Sequence, residues 1–146
     1  MPHAPVEDVI ELEQLLAGYA VAMTKGDVEA VQAAFTPDGW YSAFGDIYEL
    51  PDYPALIEAA PSGLFMTGTP HLDLDCEAGT GTGEQPLCFV DQTNHHMRIG
   101  WYTDTYRRTE AGWRIATRSM TFLRRSGARD AGRPHDPNRP DATRKA

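Results

Sequence analysis

Residues 100–125, GWYTDTYRRTEAGWRIATRSMTFLRR, contain two segments in which apolar and polar side chains alternate. Alternation in segments rich in aromatic and β-branched residues is typical of β-strands. The preceding segments LFMTGTPHLDLDC (64–76) and EQPLCFVD (84–91) have the same character, and GTGTG (79–83) between them predicts a turn. The second half of the chain therefore predicts four long antiparallel strands.

The first half of the chain has helical periodicity. From Val6 to Met23 apolar residues recur at spacings of three and four, which predicts an amphipathic helix that ends at Gly26. Asp27 can cap a second helix, and Pro51 begins a third that runs to about Ala60. Three helices followed by a curved antiparallel sheet, with the helices on one face, define an α+β fold.

Composition excludes several classes of protein. The 146 residues suffice for one domain, and a net charge of -8 argues against a nucleic-acid partner. No apolar stretch is long enough to span a membrane, and the N-terminal MPHAPVEDV lacks the pattern of a signal peptide, so we expect a cytoplasmic protein. Cys76 and Cys88 are then expected to be reduced, although a disulfide between paired strands stays open.

The C-terminal residues differ in composition from the rest of the chain. Residues 124–146 hold seven Lys or Arg and three Asp, with many Pro and Gly and almost no large apolar residue. Such a segment buries too little surface to offset the entropy lost on ordering. The sequence predicts a folded domain over residues 1–125 and a flexible basic tail over 126–146, with docking of the tail against the body or a neighbouring subunit as the alternative.

Two long segments carry a resemblance to a known family. LLAGYAVAMTKGDVEAVQAAFTPDGW (15–40) pairs a helix ending in a Gly-Asp turn with a Phe-x-x-Asp-x-Trp step, and residues 100–125 pair a Tyr-x-Asp-x-Tyr-Arg-Arg strand with Gly-Trp-Arg-Ile. Together they resemble the SnoaL-like group of the nuclear transport factor 2-like superfamily over about residues 6–125. The resemblance implies a cone-shaped curved sheet wrapped over the helices, with a pocket in its wide end and homodimers or larger oligomers through the convex sheet face.

The resemblance also assigns expectations to single positions. Dehydratase-like members carry an Asp where this chain has Thr24, and a His where it has Phe65, so the usual His-Asp pair is expected to be lost. A register shift with a bulge could bring His71 into the pocket instead. Arg118 matches the pocket arginine of dehydrochlorinase-like members, and a buried arginine needs an anionic partner, either a ligand oxygen or an acid such as Asp104.

The stretch DQTNHHMR (91–98) offers a second candidate for proton transfer. Strand alternation places His96 and Arg98 on the face of Tyr102, and a short hairpin would set Asp91 opposite His96. A carboxylate beside an imidazole makes a general base, although a solvated turn explains the same residues. A metal site is not expected, because the adjacent His95 and His96 point to opposite faces of a strand.

Several aromatic and apolar residues could line the pocket, or could simply pack in the core. Trp40 and Tyr102 are the preferred aromatic pocket residues because the family pattern places polar-tipped aromatics there, with Tyr41 and Phe122 among the other aromatic candidates. The remaining residues assigned to substrate binding are Phe65, Phe89, Met120 and Thr24. The sequence contains no phosphate-binding glycine loop before a helix, so no nucleotide or other cofactor is expected.

These features lead to one functional hypothesis and one alternative. The chain is expected to be a cofactor-independent enzyme that acts on a small hydrophobic, oxygenated or polyketide-like metabolite by acid-base elimination, isomerisation or cyclisation. Arg118 would stabilise an oxyanion, Tyr19 would donate a hydrogen bond, and His71, or Asp91 with His96, would move the proton. The alternative is a non-catalytic ligand-binding or assembly subunit of the same fold.

Overall fold

A computed structural model describes residues 4–129, 134–136 and 138–146. Helix α1 spans Val6–Lys25 and ends at Gly26, whose left-handed φ of 70° is readily adopted by glycine. Helix α2 spans Val28–Ala33, and the Asp27 side chain accepts a hydrogen bond from the backbone N–H of Ala30 at its N-terminus. Helix α3 spans Tyr53–Ala59. The three predicted helices are therefore present.

Within the described residues the sheet contains eight strands. Their bounds are β1 Phe35–Ala43, β2 Asp46–Glu49, β3 Gly63–Thr67, β4 His71–Asp75, β5 Thr80–Asp91, β6 Met97–Thr109, β7 Gly112–Leu123 and β8 Arg144–Lys145. The strand order is β3-β5-β6-β7-β1-β2-β8, and β4 also pairs with β5. All pairs are antiparallel except β1 with β7. This is the predicted α+β fold, three helices packed with a large curved antiparallel sheet.

Two details of the predicted strands were wrong. Residues 64–76 do not form one strand, because Gly68–Pro70 separate β3 from β4, and both shorter strands pair with β5. The GTGTG segment is not the turn, because Thr80–Gly83 lie inside β5 and pair with both β4 and β6. The turn lies at residues 76–79 and includes Gly79, the first residue of GTGTG, which has a φ of 71°.

The cross-strand register decides which side chains face the helices. Tyr102 on β6 lies directly opposite Gln85 on β5 and Met120 on β7, and all three are buried. Asp104 and Arg118 are opposed in the same way two residues further along. Together with Leu12 and Leu16 of α1, residues of this inner face form the core.

The described residues of the C-terminal segment contact the body of the domain. Strand β8 pairs with β2, and the Tyr48 hydroxyl donates a hydrogen bond of 2.8 Å to the carbonyl of Pro140. The division into 1–125 and a flexible 126–146 stays a prediction, and residues 130–133 and 137 lie outside the described residues. Among the described residues, none of the helices combines the length and apolar character needed to cross a membrane.

Candidate small-molecule pocket

A partly open cavity of about 100 Å³ lies between the inner face of the sheet, helices α1 and α3, and the C-terminal segment. Its wall is predominantly apolar and aromatic. The lining residues supplied by the helices and the sheet include Tyr19, Met23, Tyr41, Phe44, Tyr53, Leu56, Phe65, Leu87, Phe89, Arg98, Tyr102, Met120 and Phe122. An engineered apolar cavity of about 150 Å³ binds benzene, so a space of this size suits a molecule of about one ring.

Four tyrosines, Tyr19, Tyr41, Tyr53 and Tyr102, supply hydroxyl groups to the cavity wall. The hydroxyl oxygens of Tyr19 and Tyr53 lie 2.5 Å apart, so one hydroxyl donates to the other. The accepting hydroxyl keeps its own proton and can donate it further. The Tyr41 ring stacks on that of Tyr53 with centroids 4.8 Å apart, and the Tyr102 ring meets that of Tyr19 edge to face at 6.0 Å.

A buried charge network lies behind the tyrosines. Arg118 Nε and Nη2 donate to the two carboxylate oxygens of Asp104, each at 2.8 Å, and Nη2 also donates to Gln85 Oε1 at 3.1 Å. The Tyr106 hydroxyl donates to Asp104 Oδ2 at 2.7 Å. Asp104 is thus the anionic partner that the burial of Arg118 requires.

Arg118 meets the cavity only through aromatic rings. Its guanidinium carbon lies 3.7 Å from the ring centroid of Tyr102 and 4.6 Å from that of Tyr19, and Arg118 itself is absent from the cavity lining. The buried Nη1 has no hydrogen-bond partner in the described part of the chain. An N–H group against an aromatic face retains part of its hydrogen-bond energy, and the cation is attracted to the ring.

The buried tyrosines and Arg118 each keep a single protonation state at neutral pH. Burial raises the pKa of Tyr19 above its ordinary value, and it raises the pKa values of Tyr53 and Tyr102 well above theirs. Burial by itself would lower the pKa of Arg118, but the Asp104 carboxylate outweighs it and raises that pKa. At neutral pH the tyrosines are therefore hydrogen-bond donors, and Arg118 stays charged.

The C-terminal segment also forms part of the cavity wall, to which it supplies Pro134, His135, Asp136 and Arg139. Arg98 Nη1 and Nη2 donate to the two carboxylate oxygens of Asp136 at 3.0 and 2.9 Å. The His135 ring packs edge-on against that of Phe122, with centroids 4.7 Å apart. Arg124 Nη1 lies 3.0 Å from His135 Nε2, and since arginine only donates, that nitrogen accepts.

The structure brings five of the predicted site residues together in the cavity wall, namely Tyr19, Phe65, Phe89, Tyr102 and Met120. Trp40 does not join them. It lies opposite Thr117 of β7, whereas Tyr41 lies opposite Arg118, so strand alternation turns Tyr41 inward and Trp40 to the other face. Tyr41, an aromatic candidate that ranked below Trp40, occupies the place expected for Trp40.

Thr24 also lies outside the cavity lining. Its hydroxyl donates to the carbonyl of Ala20 at 2.8 Å and accepts a hydrogen bond of 3.0 Å from the backbone N–H of Phe65. These contacts tie the end of α1 to β3. The position where the dehydratase-like pattern has a carboxylate therefore connects two elements of the backbone.

His71 is exposed and lies away from the cavity. It begins β4 opposite Glu84, on the face of the strand that also carries the exposed Asp73. The inward residues of this strand are Leu72 and Leu74, which pack against the core. The break at Gly68–Pro70 moves His71 onto a separate strand, so the register shift considered from the sequence does not deliver it to the pocket.

Asp91 and His96 face each other across a hairpin but do not form a dyad. The backbone N–H of Asp91 donates to the carbonyl of His96 at 2.9 Å, as the predicted hairpin requires. The Asp91 carboxylate instead accepts from the backbone N–H of Thr93 at 2.7 Å, and His96 is exposed. Among the described residues no hydrogen bond joins the carboxylate to the imidazole, so the solvated turn describes this hairpin.

Sequence reasoning overlooked two groups of residues in the wall. Tyr53 stands near the start of a short helix, where no strand alternation assigns its direction. His135 and Asp136 lie in a segment whose composition predicted mobility. The one available signal for the latter was the pair of acidic and imidazole side chains, His135-Asp136, inside a basic segment.

Neither a metal nor a disulfide site is evident in the described parts of the chain. Within residues 4–129, 134–136 and 138–146, no three His, Cys, Asp or Glu side chains come together in a way that could hold a metal ion. Cys76 and Cys88 are both free thiols.

Comparison with known proteins decides the family. The sequence model of the SnoaL-like domain matches residues 4–119, which include both helical and strand signatures and the network around Arg118. The chain belongs to the SnoaL-like family. The resemblance inferred from residues 15–40 and 100–125 is therefore confirmed, and the SnoaL-like domain covers most of the chain.

Related proteins support the fold of this SnoaL-like chain. An uncharacterised protein of Mycobacterium tuberculosis, Rv2910c, is 28% identical over 130 residues, covering 81% of this chain and 87% of that protein. An NTF2-like protein with a cystatin-like fold from Novosphingobium aromaticivorans superposes with a TM-score of 0.72 at 23% identity, covering 84% and 87% of the two chains. A candidate scytalone dehydratase from the same organism gives 0.65 at 14% identity, covering 77% and 82%.

Proposed function

We propose that this SnoaL-like chain binds a small, largely apolar molecule that carries an oxygen acceptor. The observation that supports the proposal is the Tyr19–Tyr53 hydroxyl pair in the wall of a predominantly apolar and aromatic cavity. A buried donor loses free energy when its partner is missing, so a ligand with an oxygen at this point is favoured over one without. Tyr102 is a further buried phenol in the same wall.

A matched pair of one-ring probes tests this proposal. Acetophenone and ethylbenzene have nearly the same shape, and only acetophenone carries an oxygen. Titrations followed by amide chemical shifts should show acetophenone binding about 2- to 12-fold more tightly, the range expected for one net hydrogen bond. Because either hydroxyl of the pair can be the one that donates to the ligand, the preference should vanish in the double variant Tyr19→Phe/Tyr53→Phe.

Tyr106→Phe is the control for that titration, because it removes a hydroxyl that contacts Asp104 outside the cavity lining. It should keep the preference for acetophenone. Equal affinity for both probes, or binding that leaves the resonances of Tyr19 and Phe89 unperturbed, would contradict the proposal.

Acid-base catalysis is the second candidate function, and the position of His135 favours it. Its imidazole lines the same cavity as the tyrosine donors, whereas His71 and His96 are exposed elsewhere. A donor at the ligand oxygen together with a titratable ring is the minimum needed for enolisation, elimination or isomerisation. In this version of the proposal His135 takes the proton-moving role that the sequence gave to His71 and His96. Its Nε2 takes the proton from the ligand when Arg124 releases the hydrogen bond that this nitrogen accepts.

Proton exchange can be measured without knowing the natural substrate. In deuterated buffer, removal of an α-proton from acetophenone and return of a deuteron from solvent is visible by NMR, and the protein should accelerate it. His135→Gln should lower the exchange rate at least tenfold; the loss of a general acid-base group typically lowers a rate by a factor of about 10²–10⁴. His96→Gln should leave the exchange rate unchanged. Exchange no faster than in buffer, with acetophenone bound, would favour the non-catalytic alternative of ligand binding.

We further propose a homodimer through the outer face of the sheet. Apolar residues form two rows across the strands of this face. One row is Leu64, Val90 and Met97, and the other is Met66, Cys88, Ile99 and Leu123. Five of these apolar side chains are exposed, namely Leu64, Met66, Met97, Ile99 and Leu123. A contiguous exposed apolar face of this kind is typical of protein interfaces.

A cytoplasmic location remains the expectation from the sequence.

A further inference from the structure

The Arg98–Asp136 ion pair joins a strand of the sheet to an irregular segment. Arg98 lies on β6, paired on one side with Phe89 of β5 and continuous with the buried Gly100 and Tyr102. Asp136 belongs to the Pro- and Gly-rich segment that follows β7, and residues 134–136 of that segment lie outside every described helix and strand. Of the two partners, the arginine is the one fixed by the sheet.

The two side chains also form part of the cavity wall. Both line the cavity, their side chains keep 22% and 27% of their surface accessible, and the guanidinium carbon of Arg98 lies 5.7 Å from the ring centroid of Phe89. A guanidinium beside an aromatic ring and facing a cavity is a typical subsite for a carboxylate attached to an apolar body. The Asp136 carboxylate accepts two hydrogen bonds from Arg98, as the carboxylate of such a ligand would.

We infer that Arg98 is the subsite for a carboxylate of the ligand, and that Asp136 occupies this subsite when no ligand is bound. This inference rests on the proposed small-molecule function and names the ligand class as a small aromatic or alicyclic carboxylic acid. Partly exposed ion pairs contribute little net stability, so a ligand carboxylate with a buried ring can replace Asp136. Residues 98 and 102 share one face of β6, so the carboxylate subsite and Tyr102 lie in the wall of the same cavity.

Benzoate and benzamide provide the probes, because they have the same shape and only benzoate carries a charge. In the full chain, benzoate should bind more tightly than benzamide. Asp136→Asn removes the competing carboxylate and should tighten benzoate binding about two- to fivefold, with benzamide unchanged. Arg98→Gln should abolish the preference for benzoate.

Asp141→Asn is the matched control, since it makes the same charge change in the same segment at an exposed residue that does not line the cavity. It should leave benzoate affinity at the wild-type value, which separates competition at Arg98 from a general change in net charge. Thermal unfolding of each variant checks that the fold is kept.

The possible results separate the two proposals. Benzoate affinity that is unchanged or weaker in Asp136→Asn, or equal affinity for benzoate and benzamide, overturns the carboxylate subsite. If acetophenone binds in the cavity under those conditions, the proposed function stands without it. If neither acetophenone, benzoate nor benzamide perturbs the cavity resonances in the wild type or in Asp136→Asn, both proposals fail.

Discussion

Asp104 and Arg118 lie directly opposite each other on β6 and β7, and the fully buried guanidinium donates two hydrogen bonds of 2.8 Å to the carboxylate. Removing one member of such a pair leaves the other charge buried without compensation. The pair therefore controls stability, and through the ring contacts of Arg118 it also fixes the tyrosine wall of the cavity.

We predict that Asp104→Asn and Arg118→Met each lower the free energy of unfolding by about 3–5 kcal/mol. The double variant should lose less than the sum of the two, with a coupling energy of about 1–3 kcal/mol in urea unfolding. Removing both charges also removes the uncompensated charge that destabilises each single variant.

The exposed pair of Arg107 and Asp38 is the control for this cycle, because it has a similar two-point geometry at the surface. Its disruption by Asp38→Asn should barely change the free energy of unfolding. If Asp104→Asn has the same free energy of unfolding as the wild type, the buried pair does not stabilise the fold as we propose.

The buried phenols predict a loss of stability at alkaline pH. The pKa values of Tyr19, Tyr53 and Tyr102 are raised by burial in the folded state, whereas an unfolded chain ionises them near the ordinary value of about 10. Their contribution to stability is complete below that value, and it is lost as the pH rises from there toward the folded pKa values. We expect the phenolate absorbance of these residues to develop together with the loss of circular dichroism.

The variant Tyr53→Phe tests this coupling of phenol ionisation to unfolding, because it removes one phenol whose pKa is raised in the folded state. The free energy of unfolding should then fall less steeply with pH above about 10 than in the wild type. Complete ionisation of all tyrosines near pH 10 in a protein with native circular dichroism would show that the phenols are accessible.

The outer sheet face predicts the oligomeric state. Ile99→Lys places a charge in the centre of the exposed apolar face and should convert the proposed dimer into a monomer, as measured by light scattering after gel filtration. Val21→Lys is the control, because Val21 is equally apolar and 53% exposed but lies on α1. If the wild-type protein is monomeric at micromolar concentrations, the proposed dimer interface is wrong.

The resemblance assigned Arg118 and Tyr102 to the inner face. Strand alternation, a local property that a dozen residues suffice to define, then placed Met120 on the face of Arg118. The resemblance also chose Trp40 over Tyr41, and that choice was wrong. The parallel pairing of β1 with β7 contains a register shift between Phe35 and Trp40, and only the paired strand reveals it. Local sequence around Trp40 does not encode the position of its partner strand.

The sequence by itself determined the helices, most of strands β5, β6 and β7, the SnoaL-like signature and the aromatic character of the pocket, because periodicity, caps and turn residues act over short stretches of chain. The tertiary structure decided which polar groups meet. The contacts Tyr19–Tyr53, Arg98–Asp136 and Gln85–Arg118 join residues 33 to 38 positions apart. Such contacts depend on strand register and on where the C-terminal segment packs, and both are set by the burial of the whole chain.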